Sequence, residues 1–189
     1  EQEKSEAVKR LITTSTPDAD FFLMIILSVL MATLGVLMDA PSIVIGSMLI
    51  APILYPLLSL ALGVAISDRK LMKRSFRTVT RSVTIAVLIS AFATLLYLGA
   101  GNEIGDGNQE IISRIYPSFG YALVAVVAGF AASFALVKKD LREMLSGTAI
   151  SVALVPPLAV MGVGLAITSW RVFSASLMLF LINAVCIVL

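Results

Sequence analysis

The sequence predicts an all-α, polytopic membrane protein. It reads as six transmembrane helices in two inverted three-helix repeats, with helices two and five broken by Gly and Pro. Three observations carry that prediction. Apolar residues make up 59% of the 189 residues and charged residues 14%, against roughly 45–50% and about 25% in ordinary globular chains. Mean hydropathy is +1.00, and the apolar residues form six long blocks, whereas a spanning helix needs about 20 apolar residues. Finally, two of those blocks resemble each other at a fixed offset.

The chain opens with a polar, mixed-charge lead over residues 1–20. It lacks the basic, apolar, small-residue order of a signal peptide, and Glu1 in place of an initiator Met points to a trimmed or processed chain. Block one runs from about Phe21 to Met38. Block two follows Asp39-Ala40-Pro41 and continues to Ile66. A basic stretch, Ser67 to Arg81, leads to block three, about Ser82 to Gly99. A polar external loop, 101–120, carries an amphipathic patch at Ile111, Ile112, Ile115 and Tyr116, read as a helix in the outer interface. Block four is about Tyr121 to Val137, block five about Ser146 to Ile167, and block six runs from near Val172 to Leu189. The repeats are thus 21–100 and 121–189. All six blocks read as helices, because only helices or closed barrels satisfy the backbone in lipid and period-2 alternation is absent.

Charge placement sets the orientation. Lys4, Lys9 and Arg10 precede block one; Arg69, Lys70, Lys73, Arg74, Arg77 and Arg81 separate blocks two and three; Lys138, Lys139 and Arg142 separate blocks four and five. With six spans, twelve of the 14 basic residues share one side. The positive-inside rule makes that side the cytoplasm, with both termini there. The expected location is the cell (inner) membrane, multi-pass. The basic stretch 67–81 is expected to meet anionic lipid; fifteen residues supply no folded module for nucleic acid.

The repeat is legible in Gly and Pro. Block two reads GSMLIAPILYPLLSLALGVAIS from Gly46, and block five reads GTAISVALVPPLAVMGVGLAIT from Gly147. At an offset of 101 residues, Gly46 meets Gly147, Pro56 meets Pro157, Gly63 meets Gly164, Ser67 meets Thr168 and Asp39 meets Asp140. Two copies of a three-span unit must sit in opposite orientations, and inverted repeats with matching interrupted helices point to the central site of a secondary transporter. Pro52 and Pro56 in block two, and Pro156 and Pro157 in block five, remove donors and free carbonyls. The hydroxyls of Ser47, Thr148 and Ser151 lie near the other end of each interruption. Asn183 is the most polar residue inside any block. Small pairs such as Ala61/Ala65 and Gly129/Ser133 read as helix-packing faces.

Several chemistries are excluded. There is no His, which removes the commonest metal ligand and general base. No Lys, Arg, Asp or Glu lies mid-span, against side-chain proton coupling and against intramembrane proteolysis. The run Asp106 to Glu110 has the flavour of a calcium loop but lacks the downstream Glu at the required spacing. The lone Cys186 allows no internal disulfide. No catalysis, metal or cofactor is expected.

The segments VIGSMLIAPILYPL (Val44 to Leu57), ISVALVPPLAVMGVGLA (Ile150 to Ala166) and LFLINAV (Leu179 to Val185) resemble the hallmarks of domain-of-unknown-function family 389, a group of prokaryotic multi-span membrane proteins. The resemblance covers nearly all of Asp20 to Leu189. It implies a six-span inner-membrane core with Gly46, Pro52, Pro56, Pro156, Pro157 and Asn183 as signature positions, and it brings no activity. The expected function is a permease, carrier or channel, for a small solute or ion. Its site lies where broken helices two and five cross, lined by Gly46, Ser47, Pro52, Tyr55, Pro56, Ser59, Gly147, Thr148, Ser151, Pro156, Pro157 and Asn183. The rival class is a non-transporting oligomeric scaffold or signalling component. Homo-oligomerisation is expected in either case.

Overall fold

A computed structural model describes residues 17–105, 107–116, 119–137 and 154–188. These residues form eight helices: α1 (Ala19–Leu37), α2 (Pro41–Met48), α3 (Leu54–Ala65), α4 (Arg69–Gly99), α5 (Gln109–Ile115), α6 (Phe119–Val137), α7 (Val155–Ala166) and α8 (Trp170–Val188). Among the described residues every regular element is helical. The starts follow from side-chain caps. Asp18 accepts from the Phe21 amide at 3.1 Å, Asp68 from the amides of Lys70 and Leu71 at 2.8 and 3.2 Å, and Asn108 from that of Ile111 at 2.9 Å. Each satisfies donors that a helix start leaves orphaned.

Three helices, α1, α4 and α8, are long and apolar enough to cross a membrane, and α3 and α7 are shorter apolar helices. Helix α6 has 19 residues without a charge. The surface is correspondingly apolar, with Phe130 and Trp170 each 76% exposed. Such a surface suits hydrocarbon rather than water, and the chain is compatible with a membrane protein.

Block two is broken as the sequence predicts. Helix α2 ends at Met48, residues 49–53 turn, and α3 begins at Leu54. The prolines act differently from the expectation, however. Only Pro52 lies in the break. Pro56 is the third residue of α3, and Pro156 and Pro157 are the second and third of α7. In a first turn the missing N–H is one of the orphans anyway, so these prolines start helices rather than kink them. The basic stretch 67–81 also departs from its reading as a connecting loop. Behind the Asp68 cap it is the opening of α4, which runs 31 residues without interruption.

One corner recurs three times. At Gly35, Gly63 and Gly164 the carbonyl accepts from the amide five residues on (Ala40 at 2.8 Å, Asp68 at 2.9 Å, Ser169 at 2.9 Å). The fourth residue on is left-handed each time: Asp39 at φ 50°, Ser67 at 57°, Thr168 at 53°. This is a Schellman-type helix end. The next helix then passes so close that a Cβ on the glycine would stand 2.9 Å from the Val44 amide nitrogen, 3.0 Å from that of Met72, or 2.7 Å from that of Phe173. Two of these corners are 101 residues apart, as are the starts and ends of α3 and α7 and the starts of α4 and α8.

The core centres on α7. Every residue from Leu154 to Gly164 is buried, and α7 packs against α1, α2, α4, α5 and α8. Helix α5 closes the end of the bundle where α1 and α4 finish. Asn108 Nδ2 donates to the Val36 carbonyl at 2.7 Å, Asp39 Oδ1 accepts from the Glu110 amide at 2.9 Å, and Arg171 donates to the Tyr116 hydroxyl at 2.7 Å.

Candidate functional site

The sequence-predicted residues divide into three groups. Gly147, Thr148 and Ser151 lie outside the described residues. Pro56, Pro156, Pro157, Ser47, Ser59 and Asn183 are buried, and Pro52, Tyr55 and Gly46 are half-buried. The meeting of the two proline segments is narrower than expected. Helix α7 touches α2, the first half of the broken segment, whereas α3 packs mainly on α4 and α8. Gly46 faces α1, where an added Cβ would meet the flexible Met31 Cε at 3.0 Å.

Buried hydroxyls hold the break in place. Ser47 Oγ donates to the Val44 carbonyl at 2.6 Å. The carbonyl of Ser47 accepts both Ser28 Oγ, at 2.7 Å, and the Ile50 amide, at 3.2 Å. The carbonyl of Pro52 accepts the Tyr55 amide at 3.3 Å. Backbone groups released by the interruption are thus taken up locally, as a low-dielectric surrounding requires. Ser47 acts as a strut for α2.

A second cluster joins α1, α4 and α7. Ser90 Oγ donates to the Ala159 carbonyl at 2.7 Å, and Thr33 Oγ1 sits 2.9 Å from Ser90 Oγ and 2.8 Å from the Val29 carbonyl. Directly beside it, a Cβ on Gly162 would fall 2.3 Å from Ser90 Cβ. Only glycine permits this approach of α4 and α7. Gly129 of α6 also approaches Ile187 of α8 closely, its Cβ position 3.0 Å from Ile187 Cα. Ala65, by contrast, is exposed.

A third set of polar residues joins Asn183 to three serines that the sequence does not single out. On α4, Ser75 and Ser82 are 1% and 0% exposed, and on α8, Ser176 and Asn183 are 0% and 2% exposed. The Oγ atoms of Ser75, Ser82 and Ser176 have no hydrogen-bond partner among the described residues. Ser75 and Ser176 are 101 residues apart, and so are Ser82 and Asn183. The same offset carries buried residues of the first half of α4 onto buried residues of α8: Leu71 onto Val172, Val79 onto Phe180, Ala86 onto Ile187.

The corners fix the heights of these residues. Antiparallel partners in contact at Gly63 and Met72 rise together, 1.5 Å per residue. Ser82 is therefore level with Ile53, where the break ends. By the same count from Gly164 and Phe173, Asn183 is level with Leu154, where α7 begins. Each short helix starts beside a buried polar residue on the following long helix. The offset that matched Gly46 to Gly147 would have found both pairs had it been carried into blocks three and six.

Comparison with known proteins identifies a family. An uncharacterised protein of Methanocaldococcus jannaschii is 32% identical over 196 residues, a match covering 99% of this chain and 59% of that protein. The chain therefore spans 59% of the length of that relative. No solved structure matches it. The family model described as Domain of unknown function (DUF389) matches residues 48–189, from the end of α2 through the break, both short helices and α8. With its broken second block and its apolar helices, the chain belongs to that family.

Proposed function

We propose that this chain is a membrane permease, a secondary transporter or channel, for a small solute or ion. In this reading six spans form two inverted repeats. The path runs past the starts of α3 and α7 and is walled by Ser82 and Asn183, with Ser75 and Ser176 nearer the other ends of the same two helices. One observation carries the reading: buried, neutral polar side chains recur at the 101-residue offset, and one such pair, Ser82 and Asn183, is level with the starts of the two short proline-led helices. An unpaired buried hydroxyl costs about 1–3 kcal/mol. At Ser75 and Ser176, matched positions whose hydroxyls have no partner among the described residues, that cost has a use if a passing solute supplies the partners. Short half-helices at the midplane are the usual means by which transporters present backbone groups to cargo. No catalytic step is assigned to it.

In this reading the basic end of α4 faces the cytoplasm, as the positive-inside rule favours, the membrane is the cell membrane, and the chain assembles as a homo-oligomer. A scaffold is the second reading. It is favoured by the hydroxyls of Ser28, Ser47, Thr33 and Ser90, all engaged in bonds that lock helix to helix or turn to helix.

Flux separates the two. The chain is reconstituted in proteoliposomes and assayed against a panel of inorganic ions and small organic acids, with a Pro56→Ala/Pro157→Ala double variant alongside. A permease gives saturable flux that falls at least about tenfold in the double variant, equivalent to about 1.4 kcal/mol. Folded, inserted protein with flux equal to protein-free vesicles supports the scaffold.

A further inference from the structure

The strongest exposed charge among the described residues lies on the first turns of α4, where Arg69, Lys70, Lys73, Arg74, Arg77 and Arg81 are all exposed. No acidic residue lies between Arg69 and Arg81. At 100° per residue, all but Arg69 fall within an arc of roughly 100°, opposite the buried Leu71, Ser75, Val79 and Ser82. Lys73, Arg77 and Arg81 follow one another at four-residue spacing, which is mutually repulsive unless an anion intervenes.

The neighbouring surface is of the opposite kind. Helix α3, paired antiparallel with this part of α4, stays apolar to its end, with Val64 49% and Ile66 55% exposed. Cationic and apolar faces at one level mark the membrane–water boundary. Between them opens a cleft of about 330 Å³, lined by Leu60, Arg69, Met72, Lys73 and Phe76. Its polarity is ordered along α4. Arg69 and Lys73 lie toward the basic end, and Leu60 with Phe76 (63% exposed) lies deeper.

We propose that this cleft binds one anionic phospholipid. The phosphate sits between Arg69 and Lys73, and the upper acyl chain lies against Leu60, Met72 and Phe76. Arg69 and Lys73, on a stretch with no acidic residue as far as Arg81, select an anionic over a zwitterionic headgroup. The inference rests on the chain being a membrane protein and is independent of transport.

The test is native mass spectrometry of the detergent-purified chain titrated with phosphatidylglycerol or phosphatidylcholine, together with an Arg69→Gln/Lys73→Gln variant, a Phe76→Ala variant and an Arg77→Gln/Arg81→Gln control, binding being confirmed at about 0.15 M salt, where charges beyond about 8 Å are screened. The expected result is retention of phosphatidylglycerol over phosphatidylcholine. Affinity should fall about tenfold or more in Arg69→Gln/Lys73→Gln, measurably in Phe76→Ala, and by less than about threefold in the control. Equal loss in the two double variants would mean a diffuse charged surface, and would overturn the site. Equal retention of the two lipids by the unaltered chain would overturn it without any variant, as would displacement of phosphatidylglycerol by inorganic phosphate.

Discussion

At Gly162 the backbones of α4 and α7 are separated by no more than a hydrogen atom's room. The nearest neighbours of an added Cβ are Ser90 Cβ at 2.3 Å and the Val87 carbonyl at 2.7 Å. Neither belongs to a flexible chain end, so Gly162→Ala must push two helices apart. We expect it to destabilise the protein by about 1–3 kcal/mol, the usual cost of overpacking, read as a lower melting temperature in detergent. Gly46→Ala meets only the end of Met31 and should leave the melting temperature nearly unchanged. Ser82 and Asn183 differ from both. Replacing either by Leu should lower flux, and for Ser82 melting should move little, because a buried hydroxyl with no partner among the described residues is exchanged for an apolar group. The sequence pointed to Asn183 because its amide stands out in an apolar block. It hid Ser75, Ser82 and Ser176, since a serine in a membrane helix commonly bonds to its own backbone and only the fold reveals which ones do not.

At the scale of elements, the recurring corner is the most informative local structure. Ser67 and Thr168 adopt left-handed φ without being glycine, at a cost of roughly 1–2 kcal/mol. Ser67→Gly and Thr168→Gly should therefore stabilise by up to about 1 kcal/mol, less the added freedom of the unfolded chain, measured by thermal melting. Gly63→Ala and Gly164→Ala should do the reverse, since Met72 and Phe173 present backbone there. The break in block two was legible because Gly and Pro interrupt an apolar run with no charge to confuse the reading. The helical state of residues 69–81 was not. Hydropathy stops at Ser82, whereas the helix is set by the Asp68 cap and by residues of good helix propensity that need no lipid. The prolines look like interior breakers in the sequence, because sequence locates a proline but not the first turn to which it belongs. Their position in that turn predicts that Pro56→Ala and Pro157→Ala each change stability by less than about 1 kcal/mol, measured by thermal melting, so any loss of flux in the double variant reports on function rather than folding.

For the whole molecule, α4 is the ruler. Its 31 residues extend about 47 Å, well beyond a hydrocarbon core of about 30 Å, so its basic turns emerge on one side while α5 and Asn108 close the other. The proposed topology puts Lys70 and Gly107 on opposite faces of the membrane. In a Cys186→Ser background, Lys70→Cys should react with an impermeant thiol reagent from the cytoplasmic side only, and Gly107→Cys from the outside only. The repeat relation was legible in outline through Gly and Pro spacing. Its consequence for the site was not, because the polar pairs differ in identity (Ser82 against Asn183) and become equivalent only once the corners set their heights. The central claim is that these pairs line a path open to water. The most direct measurement is the reaction of Ser82→Cys and Asn183→Cys, each in the Cys186→Ser background, with small water-soluble thiol reagents in oriented membrane vesicles. The account predicts that both react and that Lys70→Cys and Gly107→Cys, as controls, react faster. Two unreactive interior cysteines beside reactive controls would contradict it and leave the polar pairs as sealed packing.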